Sequence, residues 1–527
     1  MILRHTNLFQ FLILQSLLLS HLLLTAQAQE QEDEEEYVRV LVGFHDVQQE
    51  KEYVRRQRMQ PRTAGRPKSK INYTFKQTEA LAMQVTLSEL EEMKKDSRFS
   101  YIEDDVLVPV AGFSNPTNVT ALVEETHRQL AEATNYGIEL TQANRIISPD
   151  PDYQECAVYA CVVDSGVFID NADIPYSRGD GYVDGATFGD AVGQDWYYPR
   201  GTSHGTYVGG IMIAQGGNDR GVVGVIPQGP QRSNVCLRVA KVVPDGEGVA
   251  FVSSLLEASE WCAQEAGGKP LVINLSFALG FETAPEAAIY NRLYDQGALI
   301  VAAAGNAGGT ELMYPASHDS VISVAAIDAG SRRTDFSQYN DKIELSAPGM
   351  DIQVLQAQTN EIKVTRGTSL ASPFVAGLAA RVWAAVPRCS NKQVRQALRD
   401  TARRLGSGVP NREYGYGLIQ ARDARDLLVN SGCNAKEPTS SPSMTPSASP
   451  SAVPSPLPSQ NPSVSCLGYL ESCNSLNVCC EGFRCARMTD SLDDSLVCRR
   501  DTFSQSRPRL GSTDEKVCRG GYGGGCA

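Results

Sequence analysis

Apolar and polar positions along the middle of the chain follow two periods. The run Ala157-Val158-Tyr159-Ala160-Cys161-Val162-Val163 carries no charge and ends on Asp164 before Ser165-Gly166, the pattern of a buried strand that empties into a tight turn. Similar runs at 235–243, 271–275, 298–304 and 321–327 are separated by stretches of helical period at 250–266 and 285–295. That alternation predicts an α/β domain, a parallel sheet covered by helices on both faces. Two further stretches, 204–214 and 367–387, are built of small uncharged residues and read as helices packed on all sides. Arg381 is the only charge in the second of them, and Pro373 is expected in its first turn, where a missing N–H matters least.

Flanking segments have other patterns. Residues 8–24 are mostly apolar behind Arg4 and lead to Ala26-Gln27-Ala28, so 1–28 reads as a secretory signal, with an uncleaved anchor as the alternative. No later stretch approaches membrane-spanning length. Alternation at 37–42 predicts a strand, 88–95 a helix and 101–108 a further extended segment, while the basic, turn-rich 55–70 reads as a loop insertion. Pro, Ser and Thr dominate 434–465, an extended spacer suited to O-glycosylation.

Eight of the 14 cysteines lie beyond it, in 466–527, a length that needs disulfide staples. With the leader they point to an oxidising compartment. The other six allow fifteen pairings, with Cys161 open as a buried free thiol. Sequons stand at Asn72, Asn118 and Asn274, the last on a core strand and therefore expected to be unused. A net charge of −13 argues against nucleic-acid binding.

Candidate chemistry centres on three residues. A hydroxyl is a weak nucleophile that needs an adjacent base, and the base needs an orienting carboxylate. Of the six histidines, only His127, His204 and His318 lie outside the leader and the segment after it. His204 opens one of the small-residue helices, Ser369 opens the other, and Asp164 ends the uncharged strand. Read alone, Thr368 or Ser369 serves equally as a helix N-cap.

Together, Asp164-Ser165-Gly166, His204-Gly205-Thr206 and Gly367-Thr368-Ser369-Leu370-Ala371-Ser372-Pro373, in that order, resemble the three signatures of subtilisin-like serine peptidases. Ala302-Ala303-Ala304-Gly305-Asn306 resembles a fourth. The resemblance implies a subtilisin-like peptidase domain at 134–433, with Asp164, His204 and Ser369 as the triad and Asn306 in the oxyanion hole. It also implies an inhibitory α+β propeptide at 29–110, a processing linker at 111–133 cut somewhere between residues 108 and 135, and a cystine-knot-like module at 466–527. Gly246-Glu247-Gly248 and Ser276-Phe277-Ala278 match the strands that clamp an extended polypeptide substrate by β-augmentation. Ala278 and Phe277 depart from the commoner glycine and leucine, and Tyr207 and Phe374 from frequent histidines.

A secreted monomer is implied, or one of a vacuolar or lysosomal compartment, needing no cofactor for its chemistry. Structural calcium stays open, with the loop carrying Asp170, Asp173, Asp180, Asp184, Asp190 and Asp195 as the acidic candidate against a plain surface loop. Two other functions stay open as well. Gly201-Thr202-Ser203-His204-Gly205 fits the nucleophile-elbow pattern, with Ser203 as an esterase nucleophile and His318 as its base. The third reading is a catalytically silent scaffold for the cysteine-rich module.

Overall fold

The computed structural model describes residues 37–59, 69–76, 78–111, 132–146, 156–177, 181–226 and 234–433, and four short strands between 466 and 500. The leader 1–28, the spacer 434–465, Asn118 and the rest of the cysteine-rich module lie outside the described residues.

The first part is a four-stranded antiparallel sheet with two helices. Its elements are β1 (Tyr37–Phe44), α1 (Val47–Met59), β2 (Lys70–Phe75), β3 (Ala80–Thr86), α2 (Leu87–Met93) and β4 (Phe99–Asp104), in sheet order β2-β3-β1-β4. A short strand, β5 (Leu107–Pro109), then leaves this sheet. Residues 55–59, expected as loop, belong to α1. Arg55 and Arg56 lie on the exposed face of an amphipathic helix, which buries Tyr53 between Phe44 and Phe99 and carries a Glu52–Arg56 pair one turn apart.

The second part is α/β. After α3 (Tyr136–Leu140) come β6 (Val158–Asp164), β7 (Val183–Thr187), α4 (His204–Ile213), β8 (Val235–Lys241), β9 (Val249–Phe251), α5 (Val252–Ala266), β10 (Leu271–Leu275), α6 (Ala284–Asp295), β11 (Ala298–Ala303), β12 (Val321–Ile327) and β13 (Ile343–Pro348). A hairpin of β14 (Ile352–Leu355) and β15 (Ile362–Thr365) precedes α7 (Thr368–Ala384), α8 (Asn391–Thr401) and α9 (Ala421–Ser431). Seven strands pair in parallel in the order β13-β12-β11-β10-β6-β8-β7. Chain order reverses between β6 and β10, and it is beyond the carboxyl ends of strands at such a point that open α/β sheets place their sites.

Every residue of α7 is buried, as its small-residue pattern requires. The two terminal nitrogens of its one charge, Arg381, donate to the carbonyls of Ala143 (2.7 Å), Val225 (2.9 Å) and Ile146 (2.5 Å). Pro373 corrects the expectation above: the helix begins at Thr368, so the proline stands in the second turn, not the first. Cysteine pairing also settles, as Cys156–Cys236, Cys161–Cys262 and Cys389–Cys433. Cys161 is thus bonded and ties β6 to α5.

The short strands beyond residue 443 form a separate unit. Cys466–Leu467 pairs in parallel with Val478–Cys479, and Phe483–Arg487 antiparallel with Leu496–Arg500, which sets Cys485 opposite Cys498.

Candidate active site

Asp164 ends β6 fully buried, and its Oδ1 accepts the N–H of Ser165 at 2.7 Å. His204 opens α4 and is 5% exposed; its Nδ1 lies 2.9 Å from both carboxylate oxygens of Asp164. Two local bonds hold the helix against the strand end. Gly205 N–H donates to Ser165 Oγ at 2.9 Å, and Phe168 N–H donates to Thr206 Oγ1 at 3.0 Å. A Cβ at Gly205 would lie 2.2 Å from the carbonyl oxygen of Gly166, so only glycine permits this approach.

Helix α7 packs against α4: a Cβ at Gly377 would lie 3.5 Å from Met212 Cγ. At the start of α7 three atoms converge. A point one Cβ bond from Gly367 lies 3.0 Å from Ser369 Oγ, 3.5 Å from the carbonyl oxygen of Ala111 and 3.6 Å from Asn306 Nδ2. A larger residue at Gly367 would fill the space these atoms share.

Asn306 follows β11, and its Oδ1 accepts from Thr368 N–H (2.9 Å) and Thr368 Oγ1 (2.8 Å). Thr368 Oγ1 itself accepts the N–H of Gly305 at 3.2 Å. The amide is therefore held with Nδ2 toward the cluster. Thr368 was legible only as a possible cap, yet Gly367 occupies the N-cap position and Thr368 orients the asparagine.

The chain from 107 to 111 lies between two strands of the α/β part. On one side Leu107, Val108 and Pro109 pair antiparallel with Phe251, Ala250 and Val249, and Val110 N–H donates to Gly248 O at 3.0 Å. On the other side Val110 pairs with Phe277, Ala111 N–H donates to Ser276 O at 2.7 Å and Ala278 N–H donates to Pro109 O at 3.4 Å. The Ala111 side chain is buried with Ala278 and Ala303, beside Met313.

Gly248, Ser276, Phe277 and Ala278 therefore pair with residues 109–111 of the same chain. Gly246 and Glu247 do not join the ladder: their N–H groups donate to Arg200 O (2.9 Å) and Pro244 O (3.1 Å) in the preceding turn. Residues 249–251 take the place assigned to them, a difference of register that a Gly-x-Gly pattern cannot reveal.

Other candidates do not converge. Ser203 Oγ accepts the N–H of Ala357 at 3.1 Å. His318 faces Tyr290, Tyr314 and, at 3.5 Å, Glu282, and burial pushes its imidazole down to about 4. No contact joins Ser203 to His318 among the described residues.

In the acidic loop, Asp190 pairs with Arg39 at 2.7 Å and Asp184 accepts its neighbour's N–H at 2.8 Å, while Asp180 lies outside the described residues. No group of three or more His, Cys, Asp or Glu converges as a metal site among the described residues. Asn274 is fully buried on β10, as its sequon's position predicted.

Comparison with known proteins gives the family and the fold. The Subtilase family matches residues 156–417. Subtilisin DY of Bacillus licheniformis is 33% identical over 299 residues, covering 56% of this chain and 99% of that protein. Subtilisin E of Bacillus subtilis (strain 168) is 30% identical over 362 residues, 67% of this chain and 83% of that protein. Among solved structures, the psychrophilic subtilisin-like protease Apa1 from the Antarctic psychrotroph Pseudoalteromonas sp. AS-11 shares the fold. It has a TM-score of 0.51 at 24% identity, covering 59% of this chain and 100% of that one.

Proposed function

The chain belongs to the subtilase family and is a serine-type endopeptidase, and we propose that it works through Asp164, His204 and Ser369 as a self-processing zymogen. Ser369 Oγ attacks a peptide carbonyl, and His204 takes its proton and returns it to the leaving amine. Asp164 fixes the imidazole tautomer and stabilises the imidazolium. The tetrahedral oxygen is met by Asn306 Nδ2 and the N–H of Ser369, at the positive end of the α7 dipole. The observation that carries this reading is the convergence of Ser369 Oγ, Asn306 Nδ2 and a peptide carbonyl, that of Ala111, around one point; the bonded His204–Asp164 pair is read with it as the base and its orienting carboxylate.

The same convergence supports Ala111–Gly112 as the bond the enzyme cuts in its own precursor. Residues 29–111 then act as the inhibitory propeptide, leaving their last residues in the substrate clamp as a bound product. That moves the boundary expected at residue 110 by one residue and keeps the sequon Asn118 on the mature chain.

Docking of the segment is supported by charge as well as by main-chain pairing. Helix α5 has no side-chain cap of its own, and Asp105 supplies one by accepting from Ser253 N–H (3.0 Å) and Ser253 Oγ (2.7 Å). Glu103 accepts the first N–H of α6, from Ala284, at 2.9 Å. Tyr73 donates to Glu260 at 2.9 Å. N-terminal sequencing of the purified active enzyme should begin at Gly112; a mature N-terminus in the 130s would reject this cleavage site.

No cofactor enters the chemistry. For structural calcium, the donor set that fits is not the acidic loop as a whole but Asp173 with Gln215 and Glu132. Asp173 is 1% exposed, burial pushes its carboxyl up to about 6, and Glu132 adds a neighbouring negative charge. Gln215 Oε1 approaches the same Asn218 amide that donates to Asp173. Asp173 is buried and Glu132 and Gln215 half-buried, and oxygen donors of this kind suit a hard cation. A chelator is expected to lower the melting temperature by about 5–10 °C, and Asp173→Asn to remove that response. An unchanged melting curve would exclude the ion.

Secretion is supported by the three disulfides, which form in an oxidising compartment. Among the described residues no helix is long and apolar enough to cross a membrane.

A further inference from the structure

Asn274-Leu275-Ser276 has the pattern of a glycosylation acceptor, yet Asn274 and Ser276 are both fully buried. Their side chains serve another element. Pro373, the sixth residue of α7, has no N–H to send to the carbonyl four residues earlier, which is that of Ser369. The carbonyl has a donor nonetheless: Ser276 Oγ–H reaches it at 2.9 Å. Ser276 Oγ in turn accepts from Asn274 Nδ2 at 3.0 Å, and Asn274 Oδ1 accepts from Ser372 Oγ at 2.7 Å. A serine inside a helix ordinarily returns its hydroxyl to a carbonyl one turn back; Ser372 sends it across to β10 instead. None of Asn274, Ser276, Ser369 and Ser372 is more than 1% exposed.

We infer that this buried chain of side chains replaces the helical hydrogen bond that Pro373 deletes, and that Asn274 and Ser372 are positioning residues for acyl transfer by Ser369. The relay has a direction. Ser372 O–H pins Asn274 Oδ1, so Nδ2 must face Ser276, which leaves the Ser276 proton for the Ser369 carbonyl. Without the Ser372 hydroxyl the amide can turn over and present oxygen to Ser276, drawing that proton away. Ser276 also accepts the Ala111 N–H through its own carbonyl at 2.7 Å, so peptide clamp and nucleophile are set by one residue.

This inference rests on Ser369 as nucleophile. If fluorophosphonate leaves Ser369 unlabelled in the unsubstituted mature enzyme, that underlying reading fails, whatever the variants do. Given labelling, Ser372→Ala should slow both acylation by fluorophosphonate and kcat about 10-fold, the scale of one misaligned hydrogen bond, with KM for a peptide substrate within about twofold. Ser276→Ala should be slowed similarly. Adding Pro373→Ala to it returns a main-chain N–H to the Ser369 carbonyl, and the double variant should acylate at least about fivefold faster than Ser276→Ala. This pair decides the matter if Ser372→Ala does not fold. A Ser372→Ala enzyme that is less heat-stable but acylates at the normal rate would overturn the inference, as would a double variant no faster than Ser276→Ala.

Discussion

Ser369→Ala is expected to lower turnover about 10⁶-fold, a magnitude established in subtilisin, a member of the same family, and to leave Ala111 joined to Gly112. Both effects follow from one atom. Removing Oγ leaves the clamp, Asn306 and the helix dipole in place, so peptide still binds and its carbonyl is still polarised, but no acyl-enzyme forms. What remains is the roughly 10³–10⁴-fold acceleration over water that binding and oxyanion stabilisation supply on their own. Intact-mass analysis of the purified precursor, with peptide hydrolysis measured on the same sample, tests both together. A Ser369→Ala protein that is processed at residue 111, or that hydrolyses peptides within tenfold of the unsubstituted enzyme, would contradict the assignment. Ser203→Ala, by contrast, should process normally, because its hydroxyl is engaged with the Ala357 N–H and not with the catalytic cluster.

Asn306→Ala should lower kcat by about 10²–10³ while KM stays near its original value; this range too comes from subtilisin. Asn306 Nδ2 is aimed by Thr368, which spends both its N–H and its hydroxyl on Asn306 Oδ1. The donor is thus in position before charge develops on the substrate oxygen, and its effect belongs to the transition state and not to substrate binding. Asn306→Asp should be at least as damaging, since the pinned group would then turn an oxygen toward the developing negative charge. Steady-state kinetics on one extended peptide measures this. A kcat within threefold of normal would remove Asn306 from the oxyanion hole.

Much of this was legible along the chain because local pattern carried it. The uncharged runs ending on Asp164 and Ala303, and the small-residue stretches behind His204 and Ser369, had to be buried strands and helices wherever they packed. What escaped depended on partners distant in sequence. Six cysteines cannot disclose their pairing, and Cys161, plausible as a free thiol, meets Cys262 across 101 residues. Asn274 reads as an unused sequon, and only the fold brings Ser372, 98 residues on, to its side-chain oxygen.

Gly246 and Glu247 had the right composition for the clamp but lie one turn early, a register fixed by hydrogen bonds to Arg200 and Pro244. The basic stretch after residue 55 looked like loop because its charges obscured the buried stripe carried by Tyr53. Pro373 falls in the second turn because the helix starts at Thr368, which leaves the Ser369 carbonyl to take its donor from another strand.

The most direct test is to treat the mature protein with a fluorophosphonate and map the adduct by peptide mass spectrometry. A single adduct on Ser369, abolished when His204 is replaced by alanine, is the predicted result. An adduct on Ser203, or none on folded and processed protein, would contradict the account.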